Sequence, residues 1–87
     1  EWLVRLKARI AGYDFVEDYI VRDFSRKGHA RAEDFVVHQK LLRNGVLNLE
    51  FVNNLSKISN PRVKVIALPI LLKDCDGAPA RVVAIED

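Results

Sequence analysis

The chain has no methionine, one cysteine, two histidines and no apolar run near the roughly 20 residues that span a bilayer. Each shortage excludes something. Cys75 alone cannot close an intramolecular disulfide, and its place between Asp74 and Asp76 is the setting of an inert thiol in a reducing compartment. The first dozen residues carry Arg5, Lys7 and Arg9 inside the apolar pattern, which is not how an export signal is built, so a cytoplasmic location is expected and no membrane partner. Charge of one sign is also lacking: 14 basic residues face 12 acidic ones, net +2, with the signs mixed along the chain. That balance gives no reason to expect nucleic acid. The densest basic run, 22–31, holds Arg22, Arg26, Lys27 and Arg31 beside His29 and reads as a solvated loop. A chain beginning at Glu1 is also unlike a trimmed initiator product, so a missing N-terminal portion is expected.

What is present is globular in character. Hydrophobic residues make up 49% and charged residues 30% of 87 positions, enough for one folded domain over 1–87. A domain this small buries only about 60% of the surface its unfolded chain exposes, so its stability is expected to be marginal. Trp2, Leu3, Leu6 and Ile10 fall at helical spacing within residues 1–11, although Leu3, Arg5, Lys7 and Arg9 also alternate as in a strand; helix is favoured, and Gly12 punctuates the segment. Residues 13–24, aromatic and β-branched with carboxylates interleaved, suit a strand, and 25–28 a polar loop. Residues 53–60 suggest a turn or short helical crossing ended by Pro61. Residues 63–72 (VKVIALPILL) suggest a buried strand that must bend, bulge or lie at an edge at Pro69. Turn chemistry in 74–79 and a closing strand over 80–85 complete an antiparallel hairpin. The expected class is α+β: a small mixed sheet with a C-terminal antiparallel hairpin and one or two helices packed on it.

The stretch 34–54 (DFVVHQKLLRNGVLNLEFVNN) carries the chemistry. Phe35, Val37, His38, Leu41 and Leu42 trace a helical stripe, Glu33 and Asp34 supply negative charge or a cap at its start, and Arg43 with Gly45 supplies its end. Over 46–52 the pattern alternates, with Leu47, Leu49 and Phe51 expected on the core face and Val46, Asn48, Glu50 and Val52 on a face lining a site. A lone histidine on an amphipathic helix is most often a packed side chain, and a lone glutamate near a strand end is usually solvated. Here His38 lies on the apolar stripe and Glu50 interrupts an apolar strand, so a tight helix-to-strand return would set imidazole beside carboxylate. Burying such a glutamate without a cation, a metal or several donors is costly. The pair is half a metal site.

Three stretches resemble the C-terminal third of the cyclase and kynurenine formamidase family of metal-dependent hydrolases. DFVVHQKLLRNGV resembles that family's phenylalanine, two residues, histidine, then paired leucines and a glycine. LEFVNNL resembles its glutamate followed by asparagine-leucine, and VIALPILLKDCDGAPARVVAI its alanine-leucine-proline strand, glycine-containing turn and closing strand. Together they cover about residues 30–86. The resemblance implies a partial cyclase-family fold, hydrolysis of a formamide or cyclic amide, and zinc or manganese as cofactor, with His38 a metal ligand or catalytic proton shuttle and Glu50 a metal ligand. The family's main ligand motif, histidine-x-glycine-threonine-histidine-x-aspartate-x-proline, does not occur in these 87 residues, and His29 beside Gly28 belongs to no ligand-spaced motif. Two ligands do not complete a zinc site.

The expectation is therefore a truncated or stand-alone C-terminal segment of such a hydrolase, inactive by itself. The alternatives are a non-catalytic oligomeric assembly or ligand-binding module, and one subunit of a split hydrolase whose companion chain holds the other ligands. In each case the apolar strands 63–72 and 80–85 need covering, so a homo-oligomer is expected, built by the hairpin with the segment around Trp2, Leu3 and Leu6.

Overall fold

The computed structural model describes residues 1–16, 18 and 28–87. It is α+β and divides into two compact units, 1–53 and 54–87. In the first unit, helix α1 (Trp2–Arg5) leads to strand β1 (Ile10–Gly12), a 3-10 turn at Ala32–Asp34, helix α2 (Val36–Arg43) and strand β2 (Leu47–Leu49). The helix expected over 1–11 is thus a single turn. Lys7 takes a positive φ of 54° that a continuing right-handed helix does not allow, and the chain then turns into β1. Gly12, expected as a break, is the last residue of that strand. The strand expected over 13–24 falls largely outside the described residues, as do 25–27 of the expected loop and 22–27 of the basic run. Tyr13 prolongs the ladder, its N–H donating to the Leu49 carbonyl and its carbonyl accepting from Val52 N–H at 3.0 and 2.9 Å.

β1 and β2 pair in parallel, Ile10 opposite Leu47 and Gly12 opposite Leu49. A parallel pair cannot be closed by a tight turn and needs a crossover, and α2 lies on that crossover and packs against β2. What fixes their mutual register is the end of α2. Gly45, at φ +73°, adopts the left-handed conformation; its N–H donates to the Leu42 carbonyl and Val46 N–H to the Leu41 carbonyl, both at 3.0 Å. This is the Schellman pattern, in which the residue two beyond the cap commonly packs on the residue three before it. Those residues are Val46 and Leu41, 1% and 4% exposed, and with Ala11 they form the core, flanked by Leu3, Val4, Ala8 and Tyr13.

The cap therefore inverts the expected faces of the second strand. Val46 points into the core, whereas Leu47 and Phe51 are 59% and 70% exposed. Because Val46 must meet Leu41, the alternation that follows carries Leu47 away from the helix. The strand is also shorter than expected, ending at Leu49, with Phe51 at a positive φ of 54° just beyond it.

In the second unit a 3-10 turn (Leu55–Lys57) precedes strands β3 (Lys64–Pro69) and β4 (Ala80–Ile85), which form the expected antiparallel hairpin, Lys64 opposite Ile85 and Pro69 opposite Ala80. Pro69 closes the regular strand, and the next bond is Ile70 N–H to the Pro79 carbonyl at 2.9 Å. Glu86 ties the segment before β3 to the end of β4: its carboxylate accepts from the N–H groups of Asn60 and Ser59 at 2.7 and 2.9 Å. The hydrogen bond from Asn60 and the others from Ser59 outweigh desolvation and hold this carboxyl below its ordinary range. β3 is not buried as expected. Val65, Leu68 and Ile70 are exposed, Leu71 almost completely so, and no residue of 54–87 is fully buried.

Leu41→Ala should cost about 2–4 kcal/mol of stability in urea unfolding followed by circular dichroism, as expected for a buried leucine emptied to a cavity. Leu47→Ala should change it by less than about 0.5 kcal/mol. Equal losses at the two positions would mean the exposed face has been misassigned.

Candidate metal-ligand half-site around His38

The same cap that buries Val46 places His38 against Glu50. His38 lies three residues before Leu41, hence on the face of α2 turned to β2. Glu50 lies four residues after Val46 and one beyond the end of β2, on the side turned to the helix. The imidazole Nε2 is 3.1 Å from Glu50 Oε1, and the side chains are 26% and 32% exposed. The juxtaposition expected from sequence is present, although the face that lines the site is also the face that joins the core.

The third member was not expected. Asp18 is 3% exposed, and its carboxylate sits at the start of α2. Oδ1 accepts the Val37 N–H at 2.8 Å, and Oδ2 accepts the His38 N–H at 2.9 Å. Oδ2 also lies 2.5 Å from His38 Nδ1. The first N–H groups of a helix have no partner within it, and the residue preceding α2, Phe35, has no side-chain acceptor to offer. Asp18 supplies it from about twenty residues upstream. Glu33 and Asp34, the expected caps, do not. Asp34 instead accepts from Arg31 N–H at 2.8 Å and closes the 3-10 turn before the helix. Phe35 meets the imidazole edge-on, ring centroids 5.7 Å apart, and so walls one side of the ring.

Burial works against the charge on Asp18, but the N–H groups of His38 and Val37 and the adjacent imidazole outweigh it and hold the carboxyl below its ordinary value. The sequence pointed to Glu33 and Asp34 for this role, and Asp34 is instead engaged by Arg31 N–H, so the helix start takes its carboxylate from a distant segment. Nothing in the spacing of Asp14, Glu17, Asp18 and Asp23 says which one.

The imidazole is thus flanked by carboxylates on opposite ring nitrogens. They do not converge on one point, and among the described residues no group of three or more His, Cys, Asp or Glu is placed to hold a metal ion. His38 Nε2 and Glu50 do converge. Two ligands each about 2.0–2.1 Å from one tetrahedral zinc lie roughly 3.3 Å apart, close to the 3.1 Å seen here, and imidazole with carboxylate suits zinc or manganese. The pair fits half of such a centre; the same distance also suits a shared proton. His29, the other histidine, is exposed. Comparison of the chain with models of known protein families, with curated proteins and with solved structures returns no match.

Because the folded carboxyl of Asp18 titrates below its unfolded value, its contribution to stability is present above about pH 4 and is lost as pH falls through the lower, folded value. Asp18→Ala should destabilise by about 1–3 kcal/mol near neutral pH. The gap in melting temperature from the unmodified chain should narrow as the solution is acidified below about pH 4. A gap that stays constant down to the acid limit would contradict the assigned ionised cap.

Proposed function

We propose that the chain carries the His38–Glu50 half of a divalent-metal centre of the kind used by cyclase-family amide hydrolases, and that catalysis requires further ligands from another polypeptide segment. The observation that supports this reading is the 3.1 Å approach of Nε2 to Glu50 Oε1, with the far side of the ring backed by a buried carboxylate. Metal-bound histidines characteristically donate their other ring N–H to such a group. His38 and Glu50 would hold the ion, zinc or manganese. When bound it would lower the pKa of a coordinated water enough to make a nucleophile at neutral pH. The chain's own part is to present Nε2 and Oε1 together and to keep Phe35 against the ring. With two ligands the chain alone should bind metal weakly and hydrolyse nothing.

Zinc or manganese should raise the melting temperature of the unmodified chain, by an amount that grows with concentration and disappears in Glu50→Gln. N-formylkynurenine and simple cyclic amides should not turn over. A melting temperature indifferent to both ions, or turnover abolished by His38→Ala, would each overturn part of this reading.

A second reading, a self-assembling module, draws on a different observation. The hairpin leaves Val65, Leu68, Ile70, Leu71 and Leu72 exposed, and a two-stranded hairpin by itself is at best marginally stable. Apolar patches of more than a few hundred Å² are rare on soluble monomers. We infer a homo-oligomer, most simply a twofold dimer, held by hydrophobic contact through this hairpin and the segment around Trp2, Leu3 and Leu6. Ile70→Asp or Val83→Asp should dissociate or aggregate it. Sedimentation of the unmodified chain as a stable monomer at micromolar concentration would rule it out.

A further inference from the structure

Asp18 does more than cap a helix. Its two oxygens receive three groups: Val37 N–H on Oδ1, and both the backbone N–H and ring Nδ1 of His38 on Oδ2. The two backbone N–H groups belong to the first turn of α2 and point along its axis, so they fix the plane of the carboxylate. Neither oxygen can rotate away from the imidazole, and at 3% exposure water has little access to intervene. An ionised carboxylate only accepts. A bare Nδ1 held 2.5 Å from Oδ2 would set lone pair against lone pair; a protonated Nδ1 makes a short, charge-assisted hydrogen bond. The same argument at Nε2, 3.1 Å from Glu50 Oε1, calls for a proton or a cation between those two atoms, and in the neutral ring held by Asp18 the lone pair is on Nε2. This is the reverse of the preference of a free histidine side chain, which carries its proton mainly on Nε2.

We propose that Asp18 is the positioning residue of the site: the clamp at the start of α2 fixes the Nδ1–H tautomer of His38 and thereby makes Nε2 the atom available to a cation held with Glu50. The helix start and the ligand are coupled through one side chain. The geometric half of this assignment is independent of the metal; its consequence for binding rests on the reading given above.

The test is nitrogen-15 NMR of the His38 ring on the full chain, at a pH where the ring's own shifts show it neutral, with zinc chloride then titrated as the probe. In the unmodified chain Nδ1 should carry the proton and Nε2 the lone pair. Asp18→Ala should move the ring towards Nε2–H and weaken zinc binding about 10–100-fold, the range for loss of a group supporting a metal-bound histidine. Val4→Ala trims a side chain packed against the core of the same unit and should leave tautomer and zinc affinity unchanged, which separates positioning from mere loss of stability. Predominant Nε2–H in the unmodified chain overturns the proposal, as does an unchanged tautomer in Asp18→Ala. If Asp18→Ala does not fold, the tautomer of the unmodified chain decides alone. Nδ1–H with no zinc affinity would uphold the role of Asp18 and remove the metal reading, whereas zinc affinity with Nε2–H would do the opposite.

Discussion

The first unit depends on one turn of backbone, the left-handed residue Gly45 at the end of α2. A helix can stop in many ways, but the two bonds made here, from Gly45 to Leu42 and from Val46 to Leu41, dictate that Val46 lies on Leu41. Once that contact is made, periodicity does the rest. Three residues back along the helix and four forward along the chain stand His38 and Glu50, and they face each other as Leu41 and Val46 do. The apolar contact and the polar pair are two consequences of one register. A non-glycine residue at position 45 would strain both.

The other end of α2 is governed by electrostatics. Asp18 satisfies two N–H groups that Phe35 leaves open, at the helix terminus where partial positive charge gathers. A carboxylate so placed stays ionised despite burial, and an ionised carboxylate beside Nδ1 decides what the imidazole can offer on its other side. The helix is thus tied at its start by a charge and at its end by a glycine, and its one histidine lies between these two constraints.

Much of this was legible in the sequence. The helical stripe, its glycine stop, the following strand, the C-terminal hairpin and the meeting of His38 with Glu50 all follow from periodicity and turn chemistry. The inverted face of 46–52 did not, because Leu47, Leu49 and Phe51 offer more apolar bulk than Val46 alone, and only the cap geometry overrules them. Asp18 was hidden for a related reason: its contacts to Val37 and His38 span 19 and 20 residues, and no local pattern encodes so distant a bond. The parallel pairing of β1 with β2 joins segments more than thirty residues apart, again beyond any local signal. In 63–72 composition foresaw burial, but the elements of 54–87 are a single 3-10 turn and the two strands, so this unit offers no second layer to cover the hairpin's faces.

The central claim is that His38 and Glu50 are jointly a ligand pair and not an incidental ion pair. Crystals of the unmodified chain soaked in zinc, with anomalous differences collected at the zinc absorption edge, address it directly. The account predicts a peak about 2.0–2.2 Å from both His38 Nε2 and a Glu50 carboxylate oxygen, with Nδ1 still on Asp18. Zinc bound only elsewhere, with the His38–Glu50 contact intact, would contradict it.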